Sequence, residues 1–471
     1  MLSSPQAVGG FRRQTRNSKD DKIMALSETI KAGPASAGLD HVPGHLGLPI
    51  FGNTFAFLKD PIGFHNGRRR QYGDVYKVSI FGGQTVVLRG ADALEYVLMD
   101  RDKNFASRRG WDLLARLFPN GLMLRDFDDH RSHRKIMQVA FKQKPMRHYM
   151  LGLNEGIANS MRNWAPSSRF EFYPAIKNLT LQLGASVFLG LQMGDEAARV
   201  NQAFMDEVAA AVAVLRRPWP FTPMRRGVKA RAFLLDYFRD IIPARRSGDG
   251  DDMFSQFCRA ESDDGAFFTD DEIVDHLNFL LMAAHDTTTS ALSTMIWALA
   301  QYPDWQDAAR AEILAVGTEQ LDFDDQDKLE VTERVFKEAL RFRPPVMFIP
   351  RFAERPFEFG GYEIPGETSI SVSPVLVGMS ESLWTQPTLF DPDRFSDNRA
   401  EDRRHRFAWS PFGGGAHKCI GMHFALMQVR AFVFQFLRKY QITLPEGYQS
   451  RWQALPIPKP KDGLPIVLSR R

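Results

Sequence analysis

Phe412-Gly413-Gly414-Gly415-Ala416-His417-Lys418-Cys419-Ile420-Gly421 is the stretch on which the reading of this chain turns. Three consecutive glycines let the backbone turn sharply and approach a flat ligand closely. The stretch ends on a cysteine, and the thiolate, not the thiol, binds metal. Positive charge at His417 or Lys418, the loop's N–H groups and a helix N-terminus just beyond would all favour that anion. Taken alone, the same residues also suit a phosphate-cradling loop or a plain turn with a buried cysteine.

Working outward, a helix is expected from just beyond Cys419 to about Lys439. The longest helical candidate is Thr269 to Gln301, with apolar residues at Ile273, Val274, Leu277, Leu280, Leu281 and Ala284 at helical spacing. Asp270, Asp271 and Glu272 suit its positive end. Helical patterning dominates from about residue 91 to Arg343, where Pro344-Pro345 stops it. Before it, Val75–Ile80, the turn Phe81-Gly82-Gly83 and Gln84–Arg89 read as a hairpin. Residues 346–400 read as loop and strand. The fold class expected is mainly α with small β-sheets.

Composition narrows the function. The 471 residues are 44% hydrophobic and 25% charged, which is globular, and include 37 Phe, enough for a large apolar core or pocket. A formal charge of +4 gives no basic footprint for nucleic acid. Two cysteines, Cys258 and Cys419, do not make a disulfide framework, and a reducing cytoplasm is the expected setting. No run of about 18 apolar residues occurs, so no transmembrane anchor is expected. Residues 1–40 read as a polar, disordered tail and 41–471 as the functional domain.

Three further groups of residues carry chemistry. Glu338 and Arg341 share a helix face at i, i+3 and can pair, as many surface residues do. Ala283-Ala284-His285-Asp286-Thr287-Thr288 places an acid beside an alcohol in mid-helix, either a proton path or a solvated polar patch. His130 and Arg134 are four apart on one helix face, and Arg351 follows Ile349-Pro350.

The loop pattern Phe412, Gly415, Cys419, Gly421 is similar to the haem-binding signature of the cytochrome P450 family. Glu338-Ala339-Leu340-Arg341 resembles that family's ExxR motif. Its later partner would be Arg394 in Phe390-Asp391-Pro392-Asp393-Arg394-Phe395. The motifs run in family order from about residue 43 to 467. The resemblance implies a single fold enclosing one haem b (iron protoporphyrin IX), with Cys419 as the iron ligand. It implies an acid–alcohol proton relay in Asp286 and Thr287, and contacts from His130, Arg134, Arg351 and His417 to the haem propionates. The chain departs from the family pattern at Ala284, where glycine is usual, and at His130, where tryptophan is common.

The resemblance further implies a monooxygenase that inserts one oxygen atom from O2 into a lipophilic substrate: sterol or steroid, terpenoid or retinoid, or fatty acid. Pocket segments are expected at Trp111–Leu124, Phe204–Phe221, Phe279–Ala284, Val346–Ile349 and Leu455–Ile457, with Met347, Phe348, Leu280 and Phe118 as walls. Arg216–Arg231, mixing basic and aromatic residues, reads as a pocket lid. No Rossmann fingerprint or cysteine cluster is visible. Electrons are therefore expected from NAD(P)H through a ferredoxin with its reductase, or a flavoprotein reductase. Lys135, Lys142, Lys144, Arg147 and Lys418 would form the docking face of what is expected to be a monomer. A haem sensor or carrier, and a peroxide-using or isomerising enzyme, are the competing readings.

Overall fold

The computed structural model describes residues 38–191, 194–213, 215–261 and 265–471. Most of the tail read over 1–40 lies outside the described residues. The hairpin forms where its alternation puts it, with β1 (Val75–Ile80) antiparallel to β2 (Gly83–Leu88). These strands join β3 (Phe105–Ala106), β4 (Ile349–Ala353) and β5 (Thr368–Val372) in the order β1-β2-β5-β4-β3. A three-stranded sheet pairs Pro465–Arg470 with Ser167–Glu171 on one side and Tyr440–Thr443 on the other. The strands at 105–106 and 167–171 interrupt a region whose patterning reads as helical throughout, because both are too short to set a period of their own.

The helices that position the site are α1 (Ala91–Met99), α2 (Phe127–Met137), α3 (Phe172–Leu183), α4 (Asp195–Ala211), α5 (Pro223–Ser247), α6 (Asp270–Gln301), α7 (Glu330–Phe342) and α8 (Met422–Lys439). The long α6 starts in a capping box. Thr269 Oγ1 accepts from Glu272 N at 3.3 Å, and Glu272 Oε2 accepts from Thr269 N at 2.8 Å. It runs unbroken through the molecule, packed on α3, α5, α7 and α8. Its buried hydroxyls are satisfied on carbonyls: Ser293 on Thr289 at 2.7 Å, Ser290 on Pro458 at 2.6 Å. The segment Gly415–Lys439 is apolar enough to cross a membrane by composition, but α8 spends that apolarity on the core through Met427, Phe432, Phe434 and Phe436.

Behind the cysteine loop sits the charge cluster read from Glu338, Arg341 and Arg394. Arg341 forks onto Glu338 at 2.6 and 2.7 Å, and Arg394 Nε donates to Glu338 Oε1 at 3.3 Å. All three are essentially inaccessible. Glu401 completes the cluster, its Oε2 being 3.4 Å from Arg394 Nη1. Two carboxylates against two guanidiniums leave no net buried charge, which is what makes the cluster tolerable in the interior.

Candidate active site

The cysteine loop is built by backbone, not by side chains. Gly413 and Gly415 have φ of +71° and +60°, the left-handed region that disfavours a Cβ. A Cβ on Gly415 would also collide with the backbone of Leu98 and Met99 at the end of α1, so the loop lies flat against that helix. Phe412 O accepts from Cys419 N at 2.9 Å and closes the turn just ahead of α8. Gly421 serves as N-cap of α8, and its backbone N–H acts on the Cys419 sulfur.

Cys419 is a free thiol with solvent-accessible surface, yet crowding by protein is the largest influence on its acidity. A thiol both reached and crowded opens onto a space inside the protein. Burial pushes its pKa up, against the Gly421 N–H, Arg134 and Lys418, which pull it down. The loop's donors favour the anion, as the sequence reading has it, but burial opposes them and is the larger influence. A metal cation bound at the sulfur would favour the thiolate further.

His130 and His417 face this space together, their rings stacked at 3.9 Å between centroids. Burial, then the nearby Arg134 and Arg351, lower His130 to about 4. Burial, Arg351, His130 and Arg134 take His417 down to about 2. Both are neutral, so the positive charge that sequence reading allowed at His417 is absent. Arg351 is 5% exposed and its guanidinium donates only to Pro350 O at 2.9 Å. No carboxylate of the described residues lies within ion-pair distance of Arg134 or Arg351, and His130 Nδ1 is buried without a partner. Two unpaired guanidiniums and an orphaned imidazole nitrogen, beside an inward-opening thiol, form a cradle for a flat dianionic group that offers a metal to sulfur. Haem fits that donor set.

The long α6 carries Phe279, Ala283 and Thr287 along one stripe at intervals of four. Phe279 packs with Leu117, Phe118, Ala210, Ala211, Met224 and Val228, so three of the pocket segments read from sequence meet in one apolar roof. The lid segment contributes Met224 and Val228 from α5. Leu280, read as a wall, belongs to the main core; Phe348 stands against Phe57 at 5.3 Å. Thr287 Oγ1 donates to Ala283 O at 2.6 Å. Asp286 points to α3, its Oδ1 3.4 Å from Lys177 Nζ. Ala284 borders a small cavity shared with Phe424 of α8, where the long helix and the cysteine helix come together.

The model of the family described as Cytochrome P450 matches residues 42–458. The chain belongs to the cytochrome P450 family. It is 36% identical over 449 residues to the putative cytochrome P450 136 of Mycobacterium tuberculosis strain H37Rv, covering 93% of this chain and 90% of that one. Similarity extends to cytochrome P450 26B1 of Mus musculus, at 27% identity over 90% of this chain and 85% of the relative. Among solved structures, the retinoic acid-bound cyanobacterial CYP120A1 superposes with a TM-score of 0.81 at 28% identity, over 91% of this chain and 99% of that one. This P450 is accordingly a haem-b monooxygenase, with electrons reaching it from NAD(P)H through a partner protein.

Sequence reasoning missed Lys177, Glu401 and the stacking of His130 on His417. No local spacing links residues so far apart in the chain.

Proposed function

We propose that this P450 hydroxylates a retinoid-like substrate, a long apolar chain of the terpenoid class, in preference to sterols or fatty acids. The observation that carries this is the match over nearly the whole chain to a structure solved with retinoic acid, joined to the apolar roof built on Phe118 and Phe279. Haem, when bound, supplies dioxygen activation and transfer of one oxygen atom to carbon. In this reading Cys419 is the iron ligand, held by the flat loop of Phe412, Gly415 and Gly421. Arg134 and Arg351 pair with the propionates, and His130 and His417 add neutral hydrogen bonds. Ala284 lines the groove beside the haem.

Asp286 and Thr287 act as the proton relay. Thr287 stands on the roof stripe with its hydroxyl resting on Ala283 O, and Asp286 connects that turn of α6 to the partly exposed Lys177. Lys142, Lys144 and Lys418, all exposed, form the docking face for a separate acidic donor, a ferredoxin or flavoprotein reductase. Arg147 is withdrawn from that face by Asp324, which accepts from it at 2.7 Å. Residues 41–471 work as one domain and as a monomer, since this one chain supplies both walls of the haem space. The two free thiols suit a reducing cytoplasm.

Titrating the ferric enzyme with retinoic acid is expected to drive the Soret band toward high spin at lower concentration than sterols or fatty acids. A sterol or fatty acid acting at lower concentration, or no shift with retinoic acid, would overturn the substrate assignment. Thr287→Ala is expected to retain haem and the spin shift but to divert most electrons to hydrogen peroxide, since the hydroxyl that passes the proton is gone. Peroxide yield per NAD(P)H is the measurement, and full coupling in the variant would remove Thr287 from the relay.

A further inference from the structure

The cavity that Ala284 borders lies where α3, α4, α6 and α8 meet, and its volume is about 20 Å³. One molecule the size of water needs roughly 10–15 Å³, so the space takes a single small molecule. Leu281, Ala284 and His285 of α6 line it from one side, and Phe424 and Gln428 of α8 from another. Both sets are spaced by three or four residues, so each helix presents one face. Two further wall residues pack on these: Phe188 stands 5.0 Å from Phe424 between ring centroids, and Phe204 of α4 stands edge-on to His285 at 5.7 Å.

The room comes from a glycine. Gly184 opens the π-helical turn Gly184–Phe188 that follows α3, a wide kind of turn that recurs at functional sites. Its φ of −60° and ψ of −45° are ordinary right-handed values, so the backbone does not call for glycine there. A Cβ on Gly184 would meet nothing nearer than Leu281 Cδ2, at 3.9 Å. What the missing side chain leaves is space, at a helical position where alanine would be the more favourable residue.

The wall decides what suits that space. Thr180 Oγ1 donates to Lys177 O at 3.0 Å and lies 2.8 Å from Thr289 Oγ1, while His285 Nε2 is 3.2 Å from the same Lys177 carbonyl. The side-chain amides of Asn201 and Gln428 also reach the cavity and make no hydrogen bond among the described residues. Two partners are the least that a buried water takes, and most of the remaining wall is leucine and phenylalanine. An uncharged, apolar molecule of similar size loses less on entering it than water does. The reaction consumes such a molecule, dioxygen.

We propose that this cavity is a holding site for dioxygen, from which the gas passes the small side chains of Ala284 and Ala283 into the haem space. Delivery rests on the reading of Ala284 as lining the groove beside the haem; binding in the cavity does not. Gas released there arrives at the turn where Thr287 Oγ1 donates to Ala283 O.

The test is diffraction from holoenzyme crystals pressurised with krypton, an apolar gas close to dioxygen in size that scatters strongly. Krypton is expected beside Gly184, Leu281 and Ala284. Gly184→Ala, whose methyl enters the space, is expected to fold, to keep its haem and the spin shift, and to show no krypton there. The same variant is expected to raise the KM for dioxygen several-fold while leaving kcat at saturating dioxygen unchanged, since supply of the gas is impaired and the chemistry is not. Should krypton persist in Gly184→Ala, the bulkier Gly184→Val carries the same two expectations. A cavity without krypton in the unsubstituted enzyme, or one holding a water that krypton does not displace, overturns the holding site. Krypton lost from the variant with an unchanged KM for dioxygen overturns delivery past Ala284.

Discussion

Cys419→Ser is expected to abolish the red-shifted Soret band that a thiolate ligand gives the ferrous–CO complex, and oxygenation with it. The loss should be chemical and not structural. The loop is shaped by Gly413 and Gly415 at positive φ and by the backbone bond from Cys419 N to Phe412 O at 2.9 Å, none of which needs the sulfur. What changes is the atom offered to iron. The protein does not ionise the thiol unaided, because burial outweighs the Gly421 N–H, Arg134 and Lys418. Iron held at this sulfur would supply the positive charge that favours loss of the proton. It can do so from a thiol, whose ordinary pKa is about 8.5, far more readily than from an alkyl hydroxyl. Serine would leave iron without an anionic ligand in the same space. Absorbance of the reduced, CO-treated protein decides the matter; a retained thiolate band would remove Cys419 from the iron.

How much of this was legible in the sequence depends on distance along the chain. The cysteine loop, the pairing of Glu338 with Arg341 and the start of α6 at Thr269 are set by residues within ten of one another, so spacing alone exposes them. Arg394 could be placed because the order of motifs was itself a signal. Glu401 could not, although it balances the buried charge 3.4 Å from Arg394, since nothing near it in the chain marks it as buried. Charge states were the least legible. His417 is a basic residue in sequence, but burial, with Arg351, His130 and Arg134 close by, keeps it neutral. Arg147 looks free until Asp324, far along the chain, is brought beside it. Helical period likewise tells that Phe279 and Leu280 are buried. It does not say that Phe279 enters the pocket roof while Leu280 enters the main core.

Glu207→Gln is expected to stabilise the enzyme at alkaline pH and leave it unchanged in mild acid. Glu207 on α4 is fully buried, and its Oε1 accepts from Asn278 Nδ2 of α6 at 2.8 Å. Among the described residues its other oxygen has no hydrogen-bond partner, and neither has Asn278 Oδ1. A neutral carboxyl removes both vacancies at once, donating its O–H to the amide oxygen while accepting from the amide nitrogen. Burial indeed raises its pKa from 4.5 to about 8, with Asn278 and Arg231 pulling the other way and Asp275 adding to the rise. Because the folded chain holds this proton more tightly than the unfolded one, stability is greatest below about pH 4.5 and declines as pH climbs to about 8. The shift corresponds to roughly 5 kcal/mol in total, as an upper figure. Glutamine reproduces the neutral pairing at every pH, its amide donating where the carboxyl O–H did. Denaturant unfolding of the two proteins at pH 4 and 9 would show curves that nearly coincide in acid and separate in base. If the unsubstituted enzyme weakens no more than Glu207→Gln across that window, Glu207 is ionised and α4 is joined to α6 by a single bond, not by a ring of two.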